Sequence, residues 1–596
     1  MRLQALRSAP SGTTLVGRAP CATGRVPGSG VPARQRGREA VPGGNILSEP
    51  QVWLAAFRPQ PLHTYLDEAV RAHGDRPAVD FMGKGWSYSE IGAMADRVAA
   101  GLQAQGIAKG DKVGLCLPNT PYYPVFYFAT LKIGAVVVNF NPLYVEREIE
   151  AQARDAGVRV MVTMDLKVIY DKVEAVRRSG GLDTIIVCPM ADILPQPKKL
   201  LFQLFKGGDR ASIPSDGAHP KYDELTSRGA TPHIPGIVPE QDVAVLQYTG
   251  GTTGTPKAAM LTHANLSANI EQMRALFHMA VPGRERMLCV LPFFHVFAMT
   301  VAQNLSVAIG AEMVLMPRFE LKALLDTIRR KSITLFPGVP TLFTAINTGT
   351  ITPKYDLTSI KLCISGGAPL PVEVKEQFET LTGCMLVEGY GLTEASPVVA
   401  VNPFDERRRA GSIGYPLPGT TITFHSLDDP DVEMPAGEKG ELVVRGPQVM
   451  AGYYQREHET GLALRNGALH TGDVGYRDED GFIFLVDRIK DLILCSGYNV
   501  YPRMIEDAIY RHPAVEEAIV IAIPDAYRGQ APKAFVKLRP GESVNEEEMK
   551  TFLKDHLSRI EMPQAVEFRD ALPKTMVGKL SKKELVAEEA DRHDVS

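Results

Sequence analysis

From residue 62 onward, short apolar runs of strand length alternate with stretches of helical period, and this rhythm is what most narrows the folds open to the chain. Helical patterns cover 65–73 and 89–105, a strand is predicted over 113–117, a helix starts at Pro121, and another strand covers 135–140. Residues 146–156 read as helix, 158–163 and 184–188 as strands. The expected class is α/β. Residues 195–239 and 428–438, rich in turn formers and charge, are predicted to be surface excursions. Beyond Asp487 the pattern changes: strands at 518–523, 534–538 and 565–568 and a helix at 545–557 predict a small separate α+β lobe.

A chain of 596 residues is too long for one core, and at about 100–200 residues per domain it divides into three or four lobes. Its 65 basic and 69 acidic residues leave a net charge of −4, which gives no reason to expect nucleic acid. Seven scattered cysteines form no CxxC pair or ligand spacing, so reduced thiols in a cytoplasmic protein are expected. Residues 1–45 carry Arg2, Arg7, Arg18, Arg25, Arg34, Arg36 and Arg38 before the first acid, Glu39, and are expected to be a disordered arm. An organellar transit peptide and an extension without function both fit that composition. The most apolar internal stretch, 293–316, is broken by His295, Gln303, Asn304 and Glu312, which suits a buried helix better than a membrane span.

The run Val243, Ala244, Val245, Leu246 leads into YTGGTTGTPK, from Tyr248 to Lys257. Glycine lets backbone N–H groups approach anionic oxygens, threonine hydroxyls add donors, and lysine adds a point charge, so the loop suits a polyphosphate. Lys257 follows Pro256 and precedes Ala258, which is not Walker A spacing. A plain Gly/Thr-rich surface turn is the competing reading.

Further groups carry chemistry. In YGLTE, Tyr390 to Glu394, a hydroxyl and a carboxylate stand together after an apolar run; Glu394 is a candidate ligand of Mg2+, which takes few protein oxygens beside those of phosphates. Thr393 as a helix N-cap is the alternative. In Thr471, Gly472, Asp473 a short carboxylate could accept from both hydroxyls of a ribose, although TGD alone is ordinarily a turn. The charged segment DRIKD, 487–491, would ordinarily be a solvated connection, and Lys579 in PKTMVGK surface charge.

Taken together and in this order, YTGGTTGTPK, GGAPL (366–370), YGLTE, TGD, DRIKDLI and PKTMVGK resemble the adenylate-forming superfamily of acyl-CoA synthetases, peptide-synthetase adenylation domains and firefly luciferase, over residues 62–585. LPFFHVFAMT (291–300), EGYGLTEASP (388–397) and SGYNVYP (496–502) are most similar to bacterial long-chain fatty-acid CoA ligases.

The resemblance implies a large multi-lobed N-terminal domain with layered sheets and helices over 46–486, a hinge at 487–491 (Asp487 or Lys490), and a small mobile C-terminal domain over 492–596. It implies that Thr249, Gly250, Gly251, Thr252, Thr253, Gly254 and Lys257 hold the β- and γ-phosphates of ATP, that Thr393 meets the α-phosphate and that Glu394 binds Mg2+. Gly366, Gly367, Ala368 and Tyr390 would flank adenine, with Gly391 in the same nucleotide site, while Asp473 and Arg488 take the ribose. Lys579 would bridge carboxylate and α-phosphate, His295 would stand beside the acyl carbonyl, and Gly497 would line the coenzyme A tunnel. A hydrogen-bonded core histidine is the other reading of His295.

The implied activity is ATP-dependent, AMP-forming ligation of a fatty acid to coenzyme A in the cytoplasm, with peripheral association at the inner face of a membrane and a homodimer both open. A ligase for an aryl or other hydrophobic acid and a non-catalytic ATP- or acyl-binding relative are the alternatives. Cys495 and Tyr498 depart from residues common in similar ligases, at positions with no assigned ligand role.

Overall fold

Apolar runs in the first part of the chain form a six-stranded sheet in the order Thr184–Cys188, Val160–Met164, Lys112–Leu115, Val136–Asn139, Val243–Thr249, Lys257–Thr262. The first five strands run parallel and the last returns antiparallel. Such strands read as continuous apolar runs because helices cover both faces; all four residues of Val136–Asn139 are buried. The helix Tyr122–Lys132 is buried on every side, so it shows no amphipathic stripe. The computed structural model describes residues 50–227, 231–249, 256–496, 498–525, 527–575 and 579–594, which all belong to the unit Asn45–Ser596. The expected arm at 1–45 lies outside them.

A second, nine-stranded sheet has a parallel centre in the order Met385–Gly391, Leu362–Ser365, Leu335–Gly338, Arg286–Cys289, Glu312–Leu315, Pro77–Phe81, with antiparallel strands at both edges. GGAPL follows the carboxyl end of Leu362–Ser365 and YGLTE begins in the last two residues of Met385–Gly391, at the edge where open α/β sheets place ligands. A third sheet, antiparallel and five-stranded, comprises Thr421–His425, Gly440–Arg445, Leu464–Arg465, Ala468–Arg477 and Ile483–Arg488. TGD lies inside the strand Ala468–Arg477, which corrects its reading as a turn.

The C-terminal part is α+β. The hairpin Val515–Asp525 and Gly529–Leu538 is extended by Ile493–Cys495, Tyr498–Val500 and Ala565–Phe568. Asn545 caps the helix Glu546–Leu553 by accepting from the Glu548 N–H, and the Glu548 carboxylate accepts from the Asn545 N–H in return. Ile493, Ile505, Val520, Val536 and Met549 form a core distinct from that of the large domain.

Two expectations need revision. The stretch 293–316 is largely buried, but only 296–309 is helical: a π-helical run over Ala298–Asn304 continues as Leu305–Ile309, Gly310 ends it in the left-handed conformation at φ +66°, and Glu312–Leu315 is a strand. The excursion at 195–239 contains two short helices, Lys198–Phe205 and Tyr222–Ser227. Among the described residues no helix is long and apolar enough to cross a membrane. Six cysteines are buried and free, and Cys21 lies outside the described residues.

Candidate active site

Thr249 and Lys257 face each other as the last and first residues of neighbouring antiparallel strands, so the glycine loop is the connection of a hairpin at the sheet edge. Gly250, Gly251, Thr252, Thr253 and Gly254 lie outside the described residues. Both strands of the stem are tied down. Tyr248 donates to Asp155 at 2.6 Å, and Asp155 also pairs with Arg456. Lys257 Nζ lies 4.7 Å from the centre of the Tyr453 ring, a cation–π contact. The Tyr453 hydroxyl in turn donates to Glu394 Oε1 at 2.7 Å. Burial and the Glu394 charge both raise the Tyr453 phenol, so it stays protonated and donates.

Glu394 is held by its backbone as well, since its carbonyl accepts from the Met450 N–H at 2.8 Å. Among the described residues its second carboxylate oxygen accepts no hydrogen bond, and no group of three or more His, Cys, Asp or Glu is placed to hold a metal ion. One half-buried carboxylate with an open oxygen fits Mg2+ held mostly by phosphate oxygens. Thr393 opens a single 3-10 turn, Thr393–Ala395, and Leu392 occupies the cap position without a side-chain bond, so the N-cap reading fails. A Cβ on Gly391 would fall 2.2 Å from the Pro397 carbonyl oxygen, which is why the segment needs glycine there.

A second cluster lies around Asp473. Arg488, its register partner on the adjacent strand, donates Nε to Oδ1 at 2.9 Å, and the Tyr390 hydroxyl donates to Oδ2. Burial, then the Asp473 charge, push the Tyr390 phenol well above its ordinary range. Asp473 holds the Arg488 guanidinium firmly charged. Gly472 takes a φ of +72° and gives its N–H to Glu441 at 3.0 Å, which sets the turn of backbone presenting Asp473.

Lys579 comes to this cluster from the C-terminal domain. A Cβ built on Gly367, whose φ is +82°, would fall 2.5 Å from Cε and 2.8 Å from Nζ of Lys579, so the lysine occupies the space a side chain would take. The neighbouring Gly366 abuts the Phe297 ring in the same way, at 3.1 Å; Ala368 follows in the same loop. Desolvation, then the nearby Arg488 charge, bring Lys579 down to about 8. Burial, then the Lys579 charge, bring His295 down to about 3, so the imidazole is neutral at pH 7. The His295 ring accepts from the Phe297 N–H at 3.4 Å, and the preceding carbonyl, of Phe294, is held by Gln247 at 3.0 Å. The structure thus brings Gly366, Gly367, Tyr390, Asp473, Arg488, Lys579 and His295 into one neighbourhood, and joins Lys257 and Glu394 to each other through Tyr453.

The hinge candidates differ in environment. Asp487 is buried and accepts from the N–H groups of Arg488 and Arg503, both at 2.8 Å, the latter in the first turn of the helix Pro502–Tyr510. Four charges read as a solvated connection therefore include one buried cap. Lys490 lies in the 3-10 turn Ile489–Asp491 and is lowered by burial and by Arg488. Gly497 lies outside the described residues.

Tyr453, Gln247 and Glu441 escaped the sequence reading, and Glu388 was quoted within a motif without a role. Buried Glu388 accepts from the Leu370 N–H at 3.3 Å, and desolvation raises it to about 7 against the attraction of Arg503. A raised carboxyl favours the protonated fold, so its contribution is full below the ordinary range near 4.5 and is lost as pH rises through about 7. Glu388→Gln, which keeps the acceptor and removes the titration, is expected to gain about 1–3 kcal/mol at pH 8 and nothing at pH 4. Thermal unfolding across that range checks this; an unchanged pH slope would count against it.

Residues 66–454 match the family described as AMP-binding enzyme, and residues 504–579 match the AMP-binding enzyme C-terminal domain. The chain belongs to the AMP-binding enzyme family, the adenylate-forming superfamily. It is 42% identical to a long-chain-fatty-acid–CoA ligase of Bacillus subtilis over 544 residues, covering 90% of this chain and 95% of that protein. It is 39% identical to the ligase of the same name from Escherichia coli O6:H1, covering 89% and 94%. Among solved structures, ATP-bound MatB from Rhodopseudomonas palustris superposes with a TM-score of 0.77 at 28% identity, covering 90% of this chain and all of that one. The anthranilate CoA ligase AuaEII shares the fold, with a TM-score of 0.80 at 23% identity.

Proposed function

We propose that this enzyme joins a long-chain fatty acid to coenzyme A in two steps, forming an acyl-adenylate from MgATP with release of pyrophosphate and then a thioester with release of AMP. The observation that carries the reading is Lys579 lying against Gly367 beside the Asp473–Arg488 pair, a cation delivered by the small domain to the nucleotide cleft. A carboxylate is a poor electrophile because its charge is delocalised and its oxygen leaves badly; transfer to AMP removes both defects. Lys257 and the glycine loop hold the β- and γ-phosphates, Thr393 the α-phosphate, and Glu394 the Mg2+ that travels with ATP. Tyr390, Gly391 and 366–368 line the base, and Asp473 takes the ribose hydroxyls through the lone pairs left beside Tyr390 and Arg488. Lys579 neutralises charge gathering between the attacking carboxylate and the α-phosphorus.

Neutral His295 stands near Lys579 without competing for its charge, which suits a group beside the acyl carbonyl. We assign 46–486 and 492–596 as the two domains, with rotation at 487–491 withdrawing Lys579 and bringing Gly497 toward the thiol path. Residence in the cytoplasm fits two substrates, ATP and coenzyme A, held there. Support for a long acyl chain comes from the names of the relatives above, set against 30% identity to 4-coumarate–CoA ligase 4 of Arabidopsis thaliana. A panel from acetate to long-chain and aryl acids, scored for AMP and thioester, tests the substrate. Preference for an aryl acid would reject the fatty-acid reading, and no acid-dependent exchange of labelled pyrophosphate into ATP would reject catalysis.

Tyr453 is expected to align Lys257 and Glu394 with each other. Tyr453→Phe keeps the ring beneath Lys257 and removes the bond to Glu394; a hydrogen bond to a charged group contributes about 1.5–3 kcal/mol, so MgATP affinity should fall roughly 10- to 100-fold. Calorimetric titration with a non-hydrolysable MgATP analogue measures it, and wild-type affinity would remove the role.

A further inference from the structure

The six-stranded sheet ends at Lys257–Thr262, and an edge strand presents a row of N–H and C=O groups that need partners. Residues 451–454 cover part of this edge. The Ala451 N–H donates to the Met260 carbonyl at 3.0 Å, the Met260 N–H to the Gly452 carbonyl at 2.8 Å and the Tyr454 N–H to the Ala258 carbonyl at 2.8 Å, an antiparallel register that sets Tyr453 opposite Ala259. Two further donors of the same segment go to Glu394: the Met450 N–H meets its carbonyl at 2.8 Å and the Tyr453 hydroxyl meets Oε1 at 2.7 Å.

Both ends of the segment are fastened. At the first, Gln448 is fully buried; its Nε2 donates to Thr420 Oγ1 at 2.7 Å and its Oε1 accepts from Gln272 on the helix His263–Leu276 at 3.2 Å. A Cβ on Gly446 would fall 2.3 Å from Gln448 Oε1, and Asn265 on the same helix holds the Pro447 carbonyl at 2.9 Å. At the other end Arg456 pairs with Asp155, the carboxylate that accepts from Tyr248 at 2.6 Å. Between them the Tyr453 N–H donates to Thr460 Oγ1 at 2.9 Å, on the helix Glu457–Ala463. The contacts of residues 448–456 therefore converge on Tyr248, Lys257 and Glu394, the two ends of YTGGTTGTPK and the candidate Mg2+ ligand. Covering a sheet edge requires main-chain pairing alone. A buried amide at one end and an ion pair at the other add a fixed position along that edge.

We propose that residues 448–456 form a strap that fixes the phosphate- and Mg2+-binding end of the nucleotide site, with Gln448 and Arg456 as its positioning residues. This rests on the assignment of Lys257 and Glu394 to MgATP. The ribose end, built from Asp473 and Arg488, belongs to a different sheet and does not depend on the strap. The full-length protein is titrated calorimetrically with a non-hydrolysable MgATP analogue and, separately, with AMP. Gln448→Leu and Arg456→Met should each weaken the MgATP analogue about 5- to 30-fold and leave AMP within about twofold of wild type, because AMP lacks the β- and γ-phosphates. Arg456→Lys, which keeps a cation facing Asp155, should recover most of the loss. Arg456→Met combined with Tyr453→Phe should weaken binding by less than the product of the two single effects, since both act on the contact between Tyr453 and Glu394. Arg456 is partly exposed, so its variants provide the reading if Gln448→Leu lowers the unfolding temperature. Equal weakening of AMP and the MgATP analogue, independent effects in the double variant, or wild-type affinity in both strap variants overturns the strap and leaves the catalytic reading standing. Wild type that binds AMP but not the MgATP analogue overturns the assignment of Lys257 and Glu394, and the strap with it.

Discussion

Lys579→Ala is expected to lower the rate of adenylate formation by about 10²–10³-fold or more while leaving thioester formation from a supplied acyl-adenylate within a few-fold of wild type. The asymmetry follows from where the charge is needed. In the first step negative charge accumulates between two anions, the carboxylate and the α-phosphate, and Lys579 is the cation whose side chain lies against Gly367 in the cleft. In the second step a thiolate attacks a neutral acyl carbon and the lysine has no comparable task. Equal loss of both steps would assign Lys579 to substrate binding in general. The lowered value near 8 adds a pH test: the cation is the active form, so kcat/KM for adenylation should fall as pH rises past about 8. Lys579→Arg should move that limb upward even where it lowers the rate, because a guanidinium stays charged.

Asp473→Ala should be the next most damaging change, through nucleotide affinity and through the fold. The carboxylate, 6% exposed, satisfies the Tyr390 hydroxyl on one oxygen and Arg488 on the other. Removing it orphans a buried hydroxyl, which costs about 1–3 kcal/mol. The ion pair itself adds little, because the Arg488 side chain is half exposed and solvent screens it. A melting point lower by several degrees, together with a KM for ATP raised about tenfold or more, is the expected pair of results. Loss of stability with unchanged KM would make Asp473 a structural brace for Tyr390. Asp473→Asn separates the two effects, since an amide can still accept from Tyr390 but presents one oxygen fewer to a ribose.

The sequence made the parallel layers and the small C-terminal domain legible because those segments carry strong local signals. Val136–Asn139 and Ala565–Phe568 are short apolar runs between clear breaks, and the predicted strands meet them to within a residue. The helix end at Gly310 was harder to read, because an apolar run that passes from helix to strand shows no change of composition. TGD resembled a turn because Gly472 does adopt a positive φ, yet strand pairing continues across it. In the candidate site, Lys257, Glu394 and Asp473 are suggested by their local motifs, and Lys579 only by the resemblance of the motifs taken together. Tyr453 was not, since its meaning lies in two contacts made across 196 and 59 positions of chain, and no local pattern encodes a partner that far away. Glu388 was missed for a related reason: a glutamate in a motif reads as surface or ligand until burial shows that its carboxyl is shielded from water.

The bonds from Asp487 to Arg503 and to its own neighbour bear on timing. An axis of rotation lying C-terminal to residue 487 must break the 2.8 Å contact with the Arg503 N–H and uncover a carboxyl now sheltered from water; an axis lying before it keeps the contact intact. If the small domain rotates as proposed, Asp487 would in the first case act as a detent, deepening the energy well of the orientation in which Lys579 lies against Gly367 and setting how often the domain leaves it. Weakening the detent would shift the population toward the other orientation and quicken the exchange between them, so an enzyme limited by that exchange could turn over faster for having lost a hydrogen bond.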